Sequence, residues 1–221
     1  MTLNKINYEL EYEKICKSLT GRPKLLLHSC CAPCSSSVLE RVCQNFDVTI
    51  FYYNPNIYPK EEYFKRKNEQ IKLCNALNIK ILDCDYNEQE FLDNIKGLEC
   101  EKEGGARCNK CFLLRLTKTA QVAEENHYDY FGTTLTVSPH KNEQIINQIG
   151  KYLQEKYDIL YLFADFKKQN GYLKSINLSK KYNLYRQNYC GCRFSLDKKD
   201  SINWEQKHQK WKRKVVLQKK Y

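Results

Sequence analysis

The sequence predicts an α/β protein with an open, mostly parallel sheet of the doubly wound kind, helices covering both faces. Three observations carry the prediction. Short apolar runs rich in β-branched and aromatic residues alternate with segments of helical period. The connections between them are short, and no repeat or low-complexity linker calls for a second domain. The chain has 221 residues, 42% hydrophobic and 29% charged, which suits one compact domain with a substantial core and excludes a disordered chain.

The elements follow in order. Ile6, Leu10, Ile15 and Leu19 recur at helical spacing and predict an amphipathic helix that Gly21 ends. Lys24 to His28 reads as a buried first strand. Pro33 suits a first helical turn, with Val38, Leu39 and Val42 on its inner face. Val48 to Tyr53 is a second strand, Asn54 to Pro59 a turn, 60–77 a helix and Lys80 to Leu82 a third strand. A helix over 87–96 leads to a loop from Cys100 to Arg107. Helix 108–126, a fourth strand from Tyr130 to Thr134 and helix 141–156 come next. A fifth strand over 157–163, a helix over 170–182 and a last helix over 202–218 complete the pattern. In such a sheet ligands bind beyond the C-terminal strand ends. The segments after the first and fourth strands, His28 to Ser35 and Thr133 to Pro139, are therefore the expected site.

Charge is unevenly placed. The net charge is +11, yet residues 167–221 hold 16 Lys and Arg against three acids, a net +13. Residues 1–166 are close to neutral. That distribution suits a polyanion docking at the C-terminal region, where Tyr172, Tyr182, Tyr185, Tyr189, Trp204 and Trp211 interleave with the basic residues. A solvated, solubilising tail is the plain alternative. No run of residues is long and apolar enough to span a membrane, and the N-terminus lacks the apolar core of a signal peptide. A cytoplasmic location is expected.

The 12 cysteines sort by spacing. Cys16, Cys43, Cys74, Cys84 and Cys100 stand alone, as small buried hydrophobes commonly do. The other seven form three clusters: Cys30-Cys31-Ala-Pro-Cys34, Cys108-Asn-Lys-Cys111 and Cys190-Gly-Cys192. Where thiols are kept reduced, clustering of this kind points to soft-metal ligation or redox work. Structural zinc is one reading, although adjacent cysteines fit a single tetrahedral ion awkwardly. Cys190-Gly-Cys192 suits a strained, reducible pair, with two further metal ligands as the alternative.

Four ordered motifs closely resemble the epoxyqueuosine reductase QueH family. They are His28-Ser-Cys-Cys-Ala-Pro-Cys-Ser35, Glu103-Gly-Gly-Ala-Arg-Cys-Asn-Lys-Cys-Phe-Leu-Leu-Arg115, Thr134-Leu-Thr-Val-Ser-Pro139 and Tyr189-Cys-Gly-Cys-Arg-Phe-Ser195. Together they span about residues 22–196. The resemblance implies a Rossmann-like sheet related to nucleotide-α-hydrolase-type domains, with a catalytic body over 22–166 and a basic C-terminal region over 167–221 carrying the Cys-Gly-Cys pair. It implies reduction of epoxyqueuosine in tRNA to queuosine, the last step of queuosine synthesis, without cobalamin or ATP. Carried over by position, Cys30, Cys31, Cys108 and Cys111 would hold a 4Fe-4S cluster. Cys34, or Cys30 in place of its bond to the cluster, is a candidate ligand of an additional adjacent iron, and Cys190 with Cys192 would form the redox-active disulfide. tRNAs with G-U-N anticodons and an unidentified electron donor are the expected partners.

Around these, His28 and His140 are candidate proton donors by position, with a hydrogen-bonded core histidine as the alternative. Ser138 and Thr134 are candidates to bind the substrate ring or to cap a helix. Arg107 and Arg115 are candidates to neutralise a cluster or a phosphate, or to sit in a surface salt bridge. Tyr52, Tyr53 and Tyr58 could stack an everted base, with core packing the expected role of at least one of them, and Lys210 and Arg213 of the last helix could hold stem phosphates. Two other functions compete. An ATP-dependent tRNA thiolase would need a pyrophosphate-binding Ser-Gly-Gly-x-Asp-Ser loop after the first strand, where this chain has no glycine or aspartate. A zinc-stabilised RNA-binding module leaves Cys190-Gly-Cys192 without a task.

Overall fold

The computed structural model describes residues 5–196, in which five parallel strands form one sheet ordered β3-β2-β1-β4-β5. The strands are β1 (Lys24–His28), β2 (Asp47–Tyr52), β3 (Lys80–Asp83), β4 (Tyr130–Thr133) and β5 (Leu160–Tyr161). The helices are α1 (Tyr8–Ser18), α2 (Ala32–Val42), α3 (Lys60–Leu77), α4 (Glu88–Asn94), α5 (Ala106–Glu125), α6 (Glu143–Lys156) and α7 (Gly171–Lys181). Short 3-10 turns follow β4, at Thr134–Val137, and the Cys190–Cys192 segment, at Arg193–Ser195.

The near-continuous apolar pattern of β1 has a direct cause: the strand lies mid-sheet with helices on both sides. Leu25 and Leu27 face one core, with Val38, Leu39 and Val42 of α2, Leu73 and Cys74 of α3, and Tyr12 of α1. Leu26 faces the other, with Phe112, Leu116 and Ala120 of α5 and Ile146 and Leu153 of α6. Helix α7, from the basic region, packs on α2. Among the described residues no helix is long and apolar enough to cross a membrane.

Local chemistry sets most boundaries. Asn7 and Asn142 accept hydrogen bonds from the first backbone amides of α1 and α6, so α6 begins at Glu143 and the expected start at 141 moves. Helix α3 ends where Asn78 adopts a left-handed backbone. Helix α5 begins two residues before the expected 108, which sets Cys108 and Cys111 one turn apart inside it. The fifth strand pairs over two residues, not seven. β4, its only neighbour among the described residues, offers a four-residue strand whose last paired residue opposite β5 is Phe131. The expected helix over 202–218 lies outside the described residues.

A candidate cysteine-lined active site

The chain leaves β1 toward β2 and β3 on one side, and β4 and β5 lie on the other, so the crevice between β1 and β4 is the switch point of the sheet. His28 and Thr133 are register partners at its rim. Immediately beyond, Cys30 and Cys31 precede α2 and Cys34 lies in its first turn, a placement that Pro33 near the helix start favours. The Sγ atoms of these three cysteines all lie within 4.8 Å of one another, with Cys30 and Cys31 3.8 Å apart. Cys30 Sγ is also 3.9 Å from Thr134 Oγ1 across the crevice, and Gln187 Nε2 donates to Cys31 Sγ at 3.0 Å.

The thiols share charge unequally. Hydrogen bonds from Cys31 and Cys34 hold Cys30 well below the usual thiol range. The same bond from the other side pushes Cys31 up to about 12, and Cys34 is raised as well. One thiolate stabilised by two protonated neighbours is what three close sulfurs adopt without a cation. A bound cation would favour ionising all three.

Two adjoining cavities extend the site. The larger, about 640 Å³, is lined by Cys30, Cys34, Ser138, Tyr172, Arg186 and Gln187 among others. The smaller, about 90 Å³, is lined by Cys108, Cys111, Cys192, Arg107, Arg115 and Phe91 among others. Glu103, Gly104, His140, Lys141 and Cys190 line both. Cys108 Sγ accepts from the Gly104 backbone amide at 3.2 Å. Cys111 and Cys192 are buried together beside Phe91 and Ile95, and burial pushes the Cys111 thiol up to about 12. All twelve cysteines are free thiols.

Two cations complement these sulfurs. Arg115 is buried, donates from Nε to the Cys111 carbonyl at 3.2 Å, and has no carboxylate partner among the described residues. Burial would weaken its charge, but the nearby Cys111, Cys190, Cys30 and Cys192 thiols favour it. Burial acts on Lys141 the same way and is outweighed by Cys190, Cys30 and Cys34, so its ammonium sits above its ordinary value. A set of soft sulfur donors beside the buried Arg115 and the half-buried Lys141 fits an anionic iron–sulfur cluster.

The remaining candidates separate. His28 is wholly buried, with Nδ1 3.0 Å from Thr133 Oγ1 and Nε2 3.2 Å from the Tyr53 carbonyl. Burial, reinforced by the Arg115 charge, depresses it to about 3. The structure thus places it as a hydrogen-bonded core histidine. Tyr53 is buried against Phe51 and donates to Glu90 Oε2 at 2.6 Å, and Tyr52 is buried against Tyr63. Tyr58 lies against the Arg193 guanidinium. Arg107 is buried, donating to the carbonyls of Glu99 and Glu101 and stacking on Phe194, so it holds the 99–105 loop beside the smaller cavity. Ser138 Oγ accepts from the His140 amide at 3.4 Å, and both residues line the larger cavity. Lys210 and Arg213 lie outside the described residues.

Lys141, Gln187 and Arg66, a buried α3 arginine that donates to the Tyr189 and Cys190 carbonyls, are not among the candidates that the sequence offered. Lys141 had a readable signal, its place just past the motif after β4. Gln187 and Arg66 had none, because a polar residue before a cysteine pair and a basic residue in a helix usually face water.

The family model described as "Epoxyqueuosine reductase QueH" matches residues 25–198. The Epoxyqueuosine reductase QueH of Staphylococcus aureus is 44% identical over 204 residues, covering 86% of this chain and 85% of that protein. The Thermotoga maritima protein of the same description is 38% identical over 175 residues, covering 78% and 90%. Among solved structures, the U34-tRNA thiolase NcsA of Methanococcus maripaludis, determined with its [4Fe-4S] cluster, aligns with a TM-score of 0.54 at 14% identity. The alignment covers 88% of this chain and 69% of that one, a likeness of fold. With a family model matched over most of its length and relatives above 40% identity, this chain belongs to the epoxyqueuosine reductase QueH family.

Proposed function

We propose that this epoxyqueuosine reductase acts on epoxyqueuosine within tRNA, using an iron–sulfur cluster and a Cys190–Cys192 redox pair, without cobalamin or ATP. The observation that carries the reading is the gathering of Cys108, Cys111, Cys190 and Cys192 with buried Arg115 in one cavity that adjoins the Cys30, Cys31 and Cys34 group at the switch point of the sheet.

Cys30, Cys31, Cys108 and Cys111 would hold the cluster, and the place of Cys34 within 4.8 Å of Cys30 and Cys31 supports it as a ligand of an additional adjacent iron. Such a cluster, when bound, supplies one-electron transfer and a Lewis-acidic iron. The protein's own groups do the rest. Arg115 and Lys141 offset the negative charge of the thiolates. Ser138 and His140 line the larger cavity, where the nucleoside would lie, and Tyr172, exposed at its edge, offers a ring for stacking.

Converting the epoxide to an alkene breaks two C–O bonds and consumes two electrons and two protons, releasing water. Two thiols becoming one disulfide supply that number of each. An unidentified donor then reduces the disulfide. The basic region with Lys210 and Arg213 would hold the tRNA, with G-U-N anticodons expected.

Anaerobic purification with iron and sulfide analysis, followed by nucleoside mass spectrometry of epoxyqueuosine-bearing tRNA, tests the reading. Iron and sulfide together with conversion to queuosine are expected, and Cys190→Ser or Cys192→Ser should abolish turnover. A protein carrying stoichiometric zinc and no sulfide, or one that requires ATP, would overturn it.

A further inference from the structure

We propose that Arg66 is a positioning residue that grips the Cys190-Gly191-Cys192 turn in its dithiol geometry and so sets the redox balance of that pair. The inference rests on the reading of Cys190 and Cys192 as redox-active.

Arg66 lies on α3, 2% exposed, and its ion-pair partner is Glu62 one helical turn earlier, Nε to Oε1 at 2.7 Å. A buried guanidinium has five donors to satisfy, and a lone carboxylate does not use them all. The turn supplies the remainder. Nη1 donates to the Cys190 carbonyl at 3.2 Å, Nη2 donates to the Tyr189 carbonyl at 3.4 Å, and the Tyr189 ring covers the guanidinium at 4.8 Å.

The fit is close. Gly191 has φ +122°, a backbone region that side chains disfavour, and a Cβ there would come 2.9 Å from Arg66 Nη1 and 3.2 Å from Ile57. Two further bonds fasten the turn: the Tyr58 amide donates to the Gly191 carbonyl at 2.7 Å, and the Tyr189 hydroxyl donates to the Tyr58 carbonyl at 2.5 Å.

Held this way, the two thiols face different surroundings. Cys190 lines both cavities, whereas Cys192 packs against Cys111, Phe91 and Ile95 and donates to Ser195 Oγ at 3.6 Å. Closing an S–S bond breaks two S–H bonds, releases two protons and two electrons, and requires the turn to bring the sulfurs together. Arg66 opposes that movement by holding the Tyr189 and Cys190 carbonyls. That hold biases the pair toward the dithiol, the form that has electrons to give to the epoxide.

The test uses the anaerobic holoenzyme equilibrated with mixtures of reduced and oxidised glutathione, the dithiol and disulfide forms of Cys190–Cys192 being read by alkylation and mass spectrometry. Oxidised glutathione takes up the two electrons. Arg66→Gln should move the equilibrium about tenfold toward the disulfide, equivalent to about 30 mV for a two-electron couple. Arg66→Lys, which keeps the charge and loses the planar fork, should fall between this variant and the unaltered protein. In turnover with limiting reductant both should lower kcat with little change in KM for tRNA, and excess reductant should restore kcat. An equilibrium within twofold of the unaltered protein in Arg66→Lys and Arg66→Gln overturns the proposal. If Arg66→Gln does not fold, Arg66→Lys decides alone by the same criterion. Failure of the unaltered protein to form the disulfide at all overturns the redox-pair reading itself, and this inference with it.

Discussion

Arg115 and Cys111 sit one turn apart on α5, and the Arg115 guanidinium bonds back to the Cys111 carbonyl at 3.2 Å while its Nη2 has no hydrogen-bond partner among the described residues. A buried cation with an unused donor and no carboxylate costs stability unless negative charge arrives. Replacing it with an apolar side chain of similar length should therefore have opposite effects on two states. Arg115→Met is expected to leave the metal-free protein at least as stable, by up to about 1–3 kcal/mol in chemical denaturation. The same change should weaken iron binding about 10–100-fold in anaerobic reconstitution. Loss of stability in the metal-free variant would show that Arg115 serves packing alone.

The position of Cys34 within 4.8 Å of Cys30 and Cys31 separates it from the isolated cysteines. Cys34→Ser should lose at least about tenfold in iron affinity. Cys100→Ser, at an exposed position, should bind iron as the unaltered protein does. Equal iron content in both variants would remove Cys34 from the ligand set.

Glu143 opens α6 and pairs with Lys5 at 2.9 Å and Lys167 at 2.8 Å. Burial alone would raise its carboxyl, but hydrogen bonds from Lys167 and Lys5 outweigh that and hold it at about 2. A carboxyl depressed in the folded state contributes stability above its unfolded value near 4.5, and that contribution is lost as pH falls toward 2. After allowance for solvent screening, Glu143→Gln should cost about 1–2 kcal/mol at pH 7. Denaturation curves should show the difference shrinking steadily below pH 4.5. A gap that stays constant down to pH 3 would contradict the assignment.

If the basic region docks the tRNA, its charges act through counterion release. Replacing Lys210, Lys212, Arg213 and Lys214 together with Ala should reduce the slope of log affinity against log salt by about 3. Filter binding across a salt series measures it, and an unchanged slope would place the tRNA elsewhere.

The strand-helix alternation was readable because the connections carry strong local signals. β1 and α3 were legible to the residue, bounded by Gly21, Pro59 and the left-handed Asn78. β5 was not, since an apolar run at a sheet edge looks alike whether or not it pairs. How far it pairs is decided by β4 across from it. Among candidate site residues, the cysteine clusters stood out because their spacing separates them from the isolated cysteines. His28 shows the limit of that logic: its sequence position suited catalysis, but Thr133 and the Tyr53 carbonyl occupy both its nitrogens.

By itself, the sequence determined the order of elements, the membership of the family and the three clusters into which seven of the cysteines fall. Those are local or ordered patterns, preserved whatever the chain does in three dimensions. Only the tertiary structure decided that Cys34 joins Cys30 and Cys31, that Arg115 is buried among thiols and that Arg66 closes behind the Cys190–Cys192 turn. Each of these depends on residues far apart in the chain meeting where water is excluded. A basic side chain reads the same in sequence whether it faces solvent or supplies the charge that a buried cluster of sulfurs requires.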